Sequence, residues 1–113
     1  MWYAASLLFE SVHNGQPQPN ALWEEKIVLV KANSEEDARR QADEFGKTEE
    51  HSYASAEGDQ VQWTYRRVGR VYEIDAQTLQ SGTELFSRFL RGSEVAGLLT
   101  PFKNDAAGPV NVK

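Results

Sequence analysis

Apolar and polar positions alternate along most of this chain, and where the period changes the element changes. Residues 2–13, WYAASLLFESVH, are rich in aromatic and aliphatic side chains and lack glycine and proline, so they read as a strand. HNGQPQPN, residues 13–20, reads as a loop. Asn-Gly suits positive φ, and its two prolines lack an amide donor. LWEEKIVLVKA, residues 22–32, is dense in β-branched residues and reads as a second strand.

The period then shifts from two to nearly four. In NSEEDARRQADEFGK, Ser34 is placed to cap a helix, with Glu35, Glu36 and Asp37 at the positive end of its dipole. Asp37, three residues after Ser34, approximates a capping box. Glu35 with Arg39 and Glu36 with Arg40 are four-residue pairs in the favoured order. Ala38, Ala42 and Phe45 share one face, and Gly46 reads as the stop. The spacing predicts one amphipathic helix of about three turns, roughly 18 Å long.

Beyond it, residues 49–56 and 60–74 read as the two arms of a hairpin turning at Glu57-Gly58-Asp59. DAQTLQSG reads as a connector, and residues 83–91, TELFSRFLR, read as a last strand. The order is β-β-α-β-β-β. It predicts an α+β domain over residues 1–92, with a mostly antiparallel sheet and one helix packed on one face. Residues 93–113 read as a C-terminal tail, small and polar over its last eleven residues and expected to be disordered there.

One helix covers one sheet face, yet several strands are apolar on both. Tyr3, Leu7 and Phe9 alternate with Trp2, Leu8 and Val12. Trp23, Ile27 and Leu29 alternate with Val28 and Val30, and Leu85 and Phe89 with Phe86 and Leu90. A half-buried strand alternates more cleanly. The second face therefore calls for cover: the tail segment Val95–Phe102 folding back, curvature into a half-barrel, or a second copy of the chain. In the fourth strand Val61, Trp63 and Tyr65 share one parity, and Val68, Tyr72 and Ile74 the other. The slip predicts a β-bulge at Arg66-Arg67, with a further bend at Gly69.

Composition narrows the chemistry. The 113 residues carry a net charge of −5. Five Lys/Arg face ten Asp/Glu in residues 1–56, against seven of each afterwards, so the acidic excess lies in the first half. There is no cysteine, which removes disulfides, thiolate nucleophiles and cysteine-based metal sites and suits a reducing cytoplasm. The N-terminal run has no basic flank and is interrupted by Glu10 and His13, so neither a signal peptide nor a membrane span is expected.

Motifs for catalysis are missing. No nucleophile elbow, Walker loop or dinucleotide fingerprint is present. His51 beside Glu49 and Glu50 reads as a solvated acidic strand end rather than a metal site, and no metal or cofactor is expected. A polar site built from Trp23, Glu25 and His51 with Arg66 and Arg88 is the enzymatic alternative. Arg66, Arg67, Arg70 and Arg88, with Trp63 and Tyr65, form a candidate interaction surface, since arginine with aromatics is the composition of protein–protein hot spots. Single-strand nucleic-acid binders use the same mixture, but a negative net charge opposes a polyanion.

Five blocks, WYAASLLFE, LWEEKIVLVKANSEEDAR, GKTEEHSYASAEGDQVQW, VYEI and GTELFSRFL, together resemble a family of small, mostly bacterial proteins catalogued only as a domain of unknown function. The resemblance covers about residues 2–91. It implies one module containing WYA, WEEK, EEHSY and SRFL, with an appendage from Gly92, and brings no activity. The functional expectation is a non-enzymatic protein-interaction module of the cytoplasm, binding itself or another protein. One version is an inhibitor or immunity-type protein, with Glu35, Glu36, Asp37, Glu49 and Glu50 meeting a basic enzyme.

Overall fold

The structure, a computed structural model, describes residues 1–75 and 77–100. It is an α+β fold: a five-stranded antiparallel sheet with two helices. In chain order the elements are β1 (Trp2–His13), β2 (Gln16–Pro17), β3 (Trp23–Lys31), α1 (Glu35–Thr48), β4 (His51–Ala54), β5 (Gln60–Glu73) and α2 (Gly92–Leu99).

β1 is the central strand, as its lack of glycine, proline and long charged runs suggests. β3 pairs with it from Trp2↔Lys31 to Glu10↔Trp23, and β5 pairs along its other side. β2 was expected to be loop. Asn14 (φ 52°) and Gly15 (φ 76°) instead form a two-residue turn, and its positive φ values suit the right-handed twist of a hairpin. That turn sets Gln16 opposite His13 and Pro17 opposite Val12. Asn14 also accepts the Gln60 amide at 2.9 Å, anchoring the hairpin to the start of β5.

β5 contains the expected irregularity twice. Its partners step from Arg67 to Tyr65 while β1 moves only from Leu8 to Phe9. They step from Val71 to Val68 while β1 moves from Ala5 to Leu7. Each step leaves one extra residue on β5, a bulge near Arg66 and another near Gly69-Arg70. The second bulge brings Val71 into the core, where an unbroken alternation with Val68 would not place it.

Ser34 caps α1 by accepting the Asp37 amide at 3.1 Å. Gly46 does not end the helix, which runs on to Thr48. Its role is close approach. The buried face of α1 is Ala38, Ala42 and Gly46, all small, so the helix axis lies near the sheet. A Cβ on Gly46 would lie 2.7 Å from Cδ1 and 2.8 Å from Cζ of the Tyr65 ring. Phe45, expected on the buried face, is exposed because Gly46 occupies the line of contact. The core between α1 and the sheet comprises Tyr3, Ala5, Leu7, Phe9, Val30, Val68 and Val71 with Tyr65, whose ring meets Phe9 edge-on at 5.6 Å.

Two expectations for the C-terminal region are corrected. Residues 83–91 join no ladder. The edge that β5 leaves open beyond β4 is bent by two bulges and lined by arginines, and residues 83–91 do not pair with it. The segment Val95–Phe102 does not fold back over the sheet within its described part. Its residues up to Leu99 belong to a second helix, α2, which packs on none of the other elements. Phe102 and the polar tail lie outside the described residues.

Candidate functional site

Alternation along β1 and β3 gives the sheet two different faces. Odd residues of β1 and even residues of β3 meet α1. Even residues of β1 (Trp2, Ala4, Ser6, Leu8, Glu10) lie opposite odd residues of β3 (Lys31, Leu29, Ile27, Glu25, Trp23) on the other face. That second face is the candidate site.

Its cover is partial. Residues 83–91 cross it as an extended strap. The Tyr72 hydroxyl donates to Glu84, and the Phe86 ring lies 5.9 Å from that of Tyr72. The Arg70 guanidinium sits 6.0 Å over Phe86. Arg88 then reaches Glu25 on β3 at 3.8 Å. Glu25 also accepts the Ser6 hydroxyl at 2.7 Å, which satisfies a serine buried to 1% exposure in the middle of β1. Glu10, opposite Thr64, pairs with Arg66 two residues further along β5, at 2.9 Å. Beyond this polar row the face is apolar and open. Trp23 is 48% exposed, Ile27 49% and Leu29 51%, with Trp2 beside them at the end of β1. Lys31 lies 5.6 Å over the Trp2 ring.

The structure thus brings together some of the residues singled out from the sequence and separates others. Trp23, Glu25, Arg66 and Arg88 share the second face, and so does Arg70. His51 does not join them. It lies opposite Trp63, whose side chain packs against the core on the α1 side. Tyr65 is buried there as well, and Arg67 turns toward α1, where it lines a groove with Glu36, Arg39, Arg40 and Asp43. Another concavity, about 740 Å³, is lined by Tyr72, Asp75 and residues of the 77–84 loop. Neither concavity is lined by Trp23, Glu25 or Arg88. Among the described residues no cluster of three or more His, Asp or Glu side chains could hold a metal ion.

The helix side carries the perturbed titrations, and these are structural. The Tyr65 hydroxyl donates to Asp43 at 2.6 Å. Burial, then this bond to a carboxylate, pushes the Tyr65 phenol well above its usual range. The same bond, aided by Lys47, holds the Asp43 carboxyl below its usual range. Glu50 accepts the Tyr65 amide at 2.8 Å, so a side chain caps a strand amide just past the end of β4. Arg39 donates to the Gly69 carbonyl at 3.2 Å, fixing α1 to the second bulge.

Ser6, Glu10 and Phe86 were not foreseen as part of the site. Ser6 had one signal: a hydroxyl in the middle of the apolar run Trp2–Phe9. Pairing of Glu10 with Arg66 depends on a register 56 residues apart in sequence, and no local pattern encodes it.

An antiparallel sheet with a single packed helix and one partly open apolar face is a small α+β domain built around a central strand. Residues 2–87 match the family described as Domain of unknown function (DUF4288), and the chain belongs to that family. No curated protein and no solved structure matches it. None of the described helices is long and apolar enough to cross a membrane.

Proposed function

We propose that this domain is a protein-interaction module whose contact surface is the second sheet face, centred on β3. The observation that carries this is the stripe of Trp23, Ile27 and Leu29, each about half exposed on one side of a straight strand at the sheet edge. Full burial of such a side chain is worth about 1.5–3 kcal/mol, so covering the remaining half of each adds roughly 1 kcal/mol per residue. Arg66, Arg70 and Arg88 rim the stripe and supply the polar border of an interface. The acidic surface needed by an inhibitor of a basic enzyme is less available. Asp37, Glu49 and Glu50 are engaged by Arg40, Lys26 and the Tyr65 amide. Nucleic-acid binding is also less favoured, since Arg66 and Arg88 face Glu10 and Glu25 and Arg67 lies on the opposite face. Lacking cysteine, the module suits a reducing compartment such as the bacterial cytoplasm.

The test is an affinity capture from native lysate with the wild-type chain and with Ile27→Asp/Leu29→Asp. Both positions are about half exposed at the sheet edge, so the variant should keep its circular dichroism spectrum, with an unfolding midpoint lowered by the loss of the buried halves. A stoichiometric protein, foreign or a further copy of the chain, retained by the wild type and lost in the variant is the expected result. Equal retention by both, or none by either, overturns the reading.

A further inference from the structure

The sheet has two free edges, and they are built differently. Along residues 64–73, β5 has no outer neighbour among the described residues, but two bulges bend it, Arg66, Arg67 and Arg70 stud it, and Glu50 caps its Tyr65 amide. These are the devices that keep an edge from pairing with another strand. β3 has charged residues too, Glu24, Glu25, Lys26 and Lys31, but no bulge and, among the described residues, no side-chain cap on an outer amide. It pairs with β1 over nine consecutive positions without a register shift, carries no proline or glycine, and none of its residues makes a backbone hydrogen bond on the outer side among the described residues. A long, straight, unprotected edge bordered by an exposed apolar stripe is a template for another strand.

The residues of β3 favour one partner. In an antiparallel pair, residues directly opposite share a face. Let two β3 strands pair about a two-fold axis at Val28. Glu25 of each copy then faces Lys31 of the other, and Ile27 faces Leu29, all on the second face. On the α1 side Val28 faces Val28 and Lys26 faces Val30. Both charge pairs are of opposite sign and the apolar stripes become continuous. The two nearest registers that keep the faces aligned are worse. Centring on Ile27 sets Glu25 against Leu29, and centring on Leu29 sets Ile27 against Lys31 and takes Glu25 away from Lys31. Like charges directly opposite destabilise a sheet, whereas opposite charges and apolar pairs stabilise it. The strap also fits this arrangement. It reaches β3 at Arg88, and α2 begins just beyond, at Gly92, touching no element of its own chain. Its exposed Val95, Leu98 and Leu99 would have the partner's second face beside them.

Resting on the reading of this face as an interaction surface, we infer that its partner is a second copy of the chain, joined by antiparallel β3–β3 pairing centred on Val28, which merges the two sheets into one. The Glu25–Lys31 pairs set the register, and the Ile27–Leu29 contacts supply the buried apolar surface.

Sedimentation equilibrium of the full chain tests this, since the chain has no cysteine and single-cysteine variants report register directly. The wild type is expected to dimerise reversibly. Lys31→Glu sets two carboxylates opposite each other at both symmetric positions and should raise the dissociation constant about tenfold or more. Adding Glu25→Lys to it should restore dimerisation to within a few-fold of wild type. Under mild oxidation Val28→Cys should form a covalent dimer, because paired strand positions lie within disulfide reach, and Ile27→Cys should not. Circular dichroism of each variant confirms folding. Three results overturn the inference: a monomer at every concentration, a dimer indifferent to Lys31→Glu, or preferential cross-linking through Ile27→Cys. A monomer that still retains a foreign protein through Ile27 and Leu29 overturns the dimer and leaves the interaction reading standing. A monomer that retains none overturns both.

Discussion

Replacing Gly46 by alanine sets two known effects against each other. In an ordinary helix interior the change stabilises by about 0.5–1 kcal/mol, because glycine loses more backbone freedom on folding. Here the new methyl would fall within 3 Å of the Tyr65 ring. The ring has little room to retreat. It is 9% exposed, stacks edge-on against Phe9, and is pinned at its far end by the bond to Asp43. Overpacking of this kind costs about 1–3 kcal/mol. If the ring swings away, its hydroxyl gives up a bond to a charged group, worth about 1.5–3 kcal/mol. The gain and the cost together predict a net destabilisation of up to about 2.5 kcal/mol. Urea unfolding followed by circular dichroism and tryptophan fluorescence measures it, as a lower midpoint at unchanged slope. The same substitution in a Tyr65→Ala background removes the clash, so Gly46→Ala should there be neutral or stabilising. A single variant more stable than wild type would refute the close approach of α1 to β5. Equal effects in both backgrounds would refute its assignment to Tyr65.

Two further outcomes follow from the geometry. Tyr65→Phe keeps the packing and removes the hydroxyl's bond to a carboxylate, so it should cost about 1.5–3 kcal/mol at neutral pH. It should also alter the pH profile at both ends. The Asp43 carboxyl is held low in the folded state. Its contribution is therefore present above the unfolded carboxylate pKa and lost as pH falls through the folded one, and this acid-limb loss should shrink in the variant. The Tyr65 phenol is held high. Its contribution is full below the unfolded value of 10.0 and declines as pH rises beyond it, a decline absent from the variant. Stability measured by urea titration from pH 3 to 11 checks both limbs, and identical profiles would contradict the Tyr65–Asp43 pairing. Removal of residues 92–113 should leave the melting temperature of a dilute sample within about 2 °C, since α2 packs on no other element. A larger fall would show that the tail supports the fold.

Much of the architecture was legible because it depends on local periodicity. β1, β3, α1 and the β4–β5 hairpin each announce themselves through alternation, capping or turn residues within their own span. The slip in parity at Arg66-Arg67 was enough to foresee a bulge. The last strand was misread for a physical reason. TELFSRFLR alternates as a strand should, but its side chains are held on the sheet face, Glu84 and Phe86 by Tyr72 and Arg88 by Glu25, so it runs across that face rather than along an edge. Gly46 was misread in the same way. A glycine late in a helical pattern suits a stop, and only the position of a ring on another element shows that it serves contact instead. The polar group of Trp23, Glu25, Arg66 and Arg88 was partly foreseen, since face alternation suggests which carboxylates turn inward, but the separation of His51 and Arg67 from it depends on register.

By itself the sequence determined the α+β class, the four long elements β1, β3, α1 and β5 with the β4 arm, the exclusion of thiol chemistry, and the excess of apolar residues over what one helix can cover. These follow from composition and short-range patterning, which act before any long-range contact is made. Tertiary structure alone decided that β1 is central, that Ser6 and Arg88 meet on Glu25, that α1 presses a glycine against Tyr65, and that β3 is left as the unprotected edge. Each of those depends on which distant strands align and in what register. Side-chain alternation restricts that choice, but only the simultaneous packing of all the elements makes it.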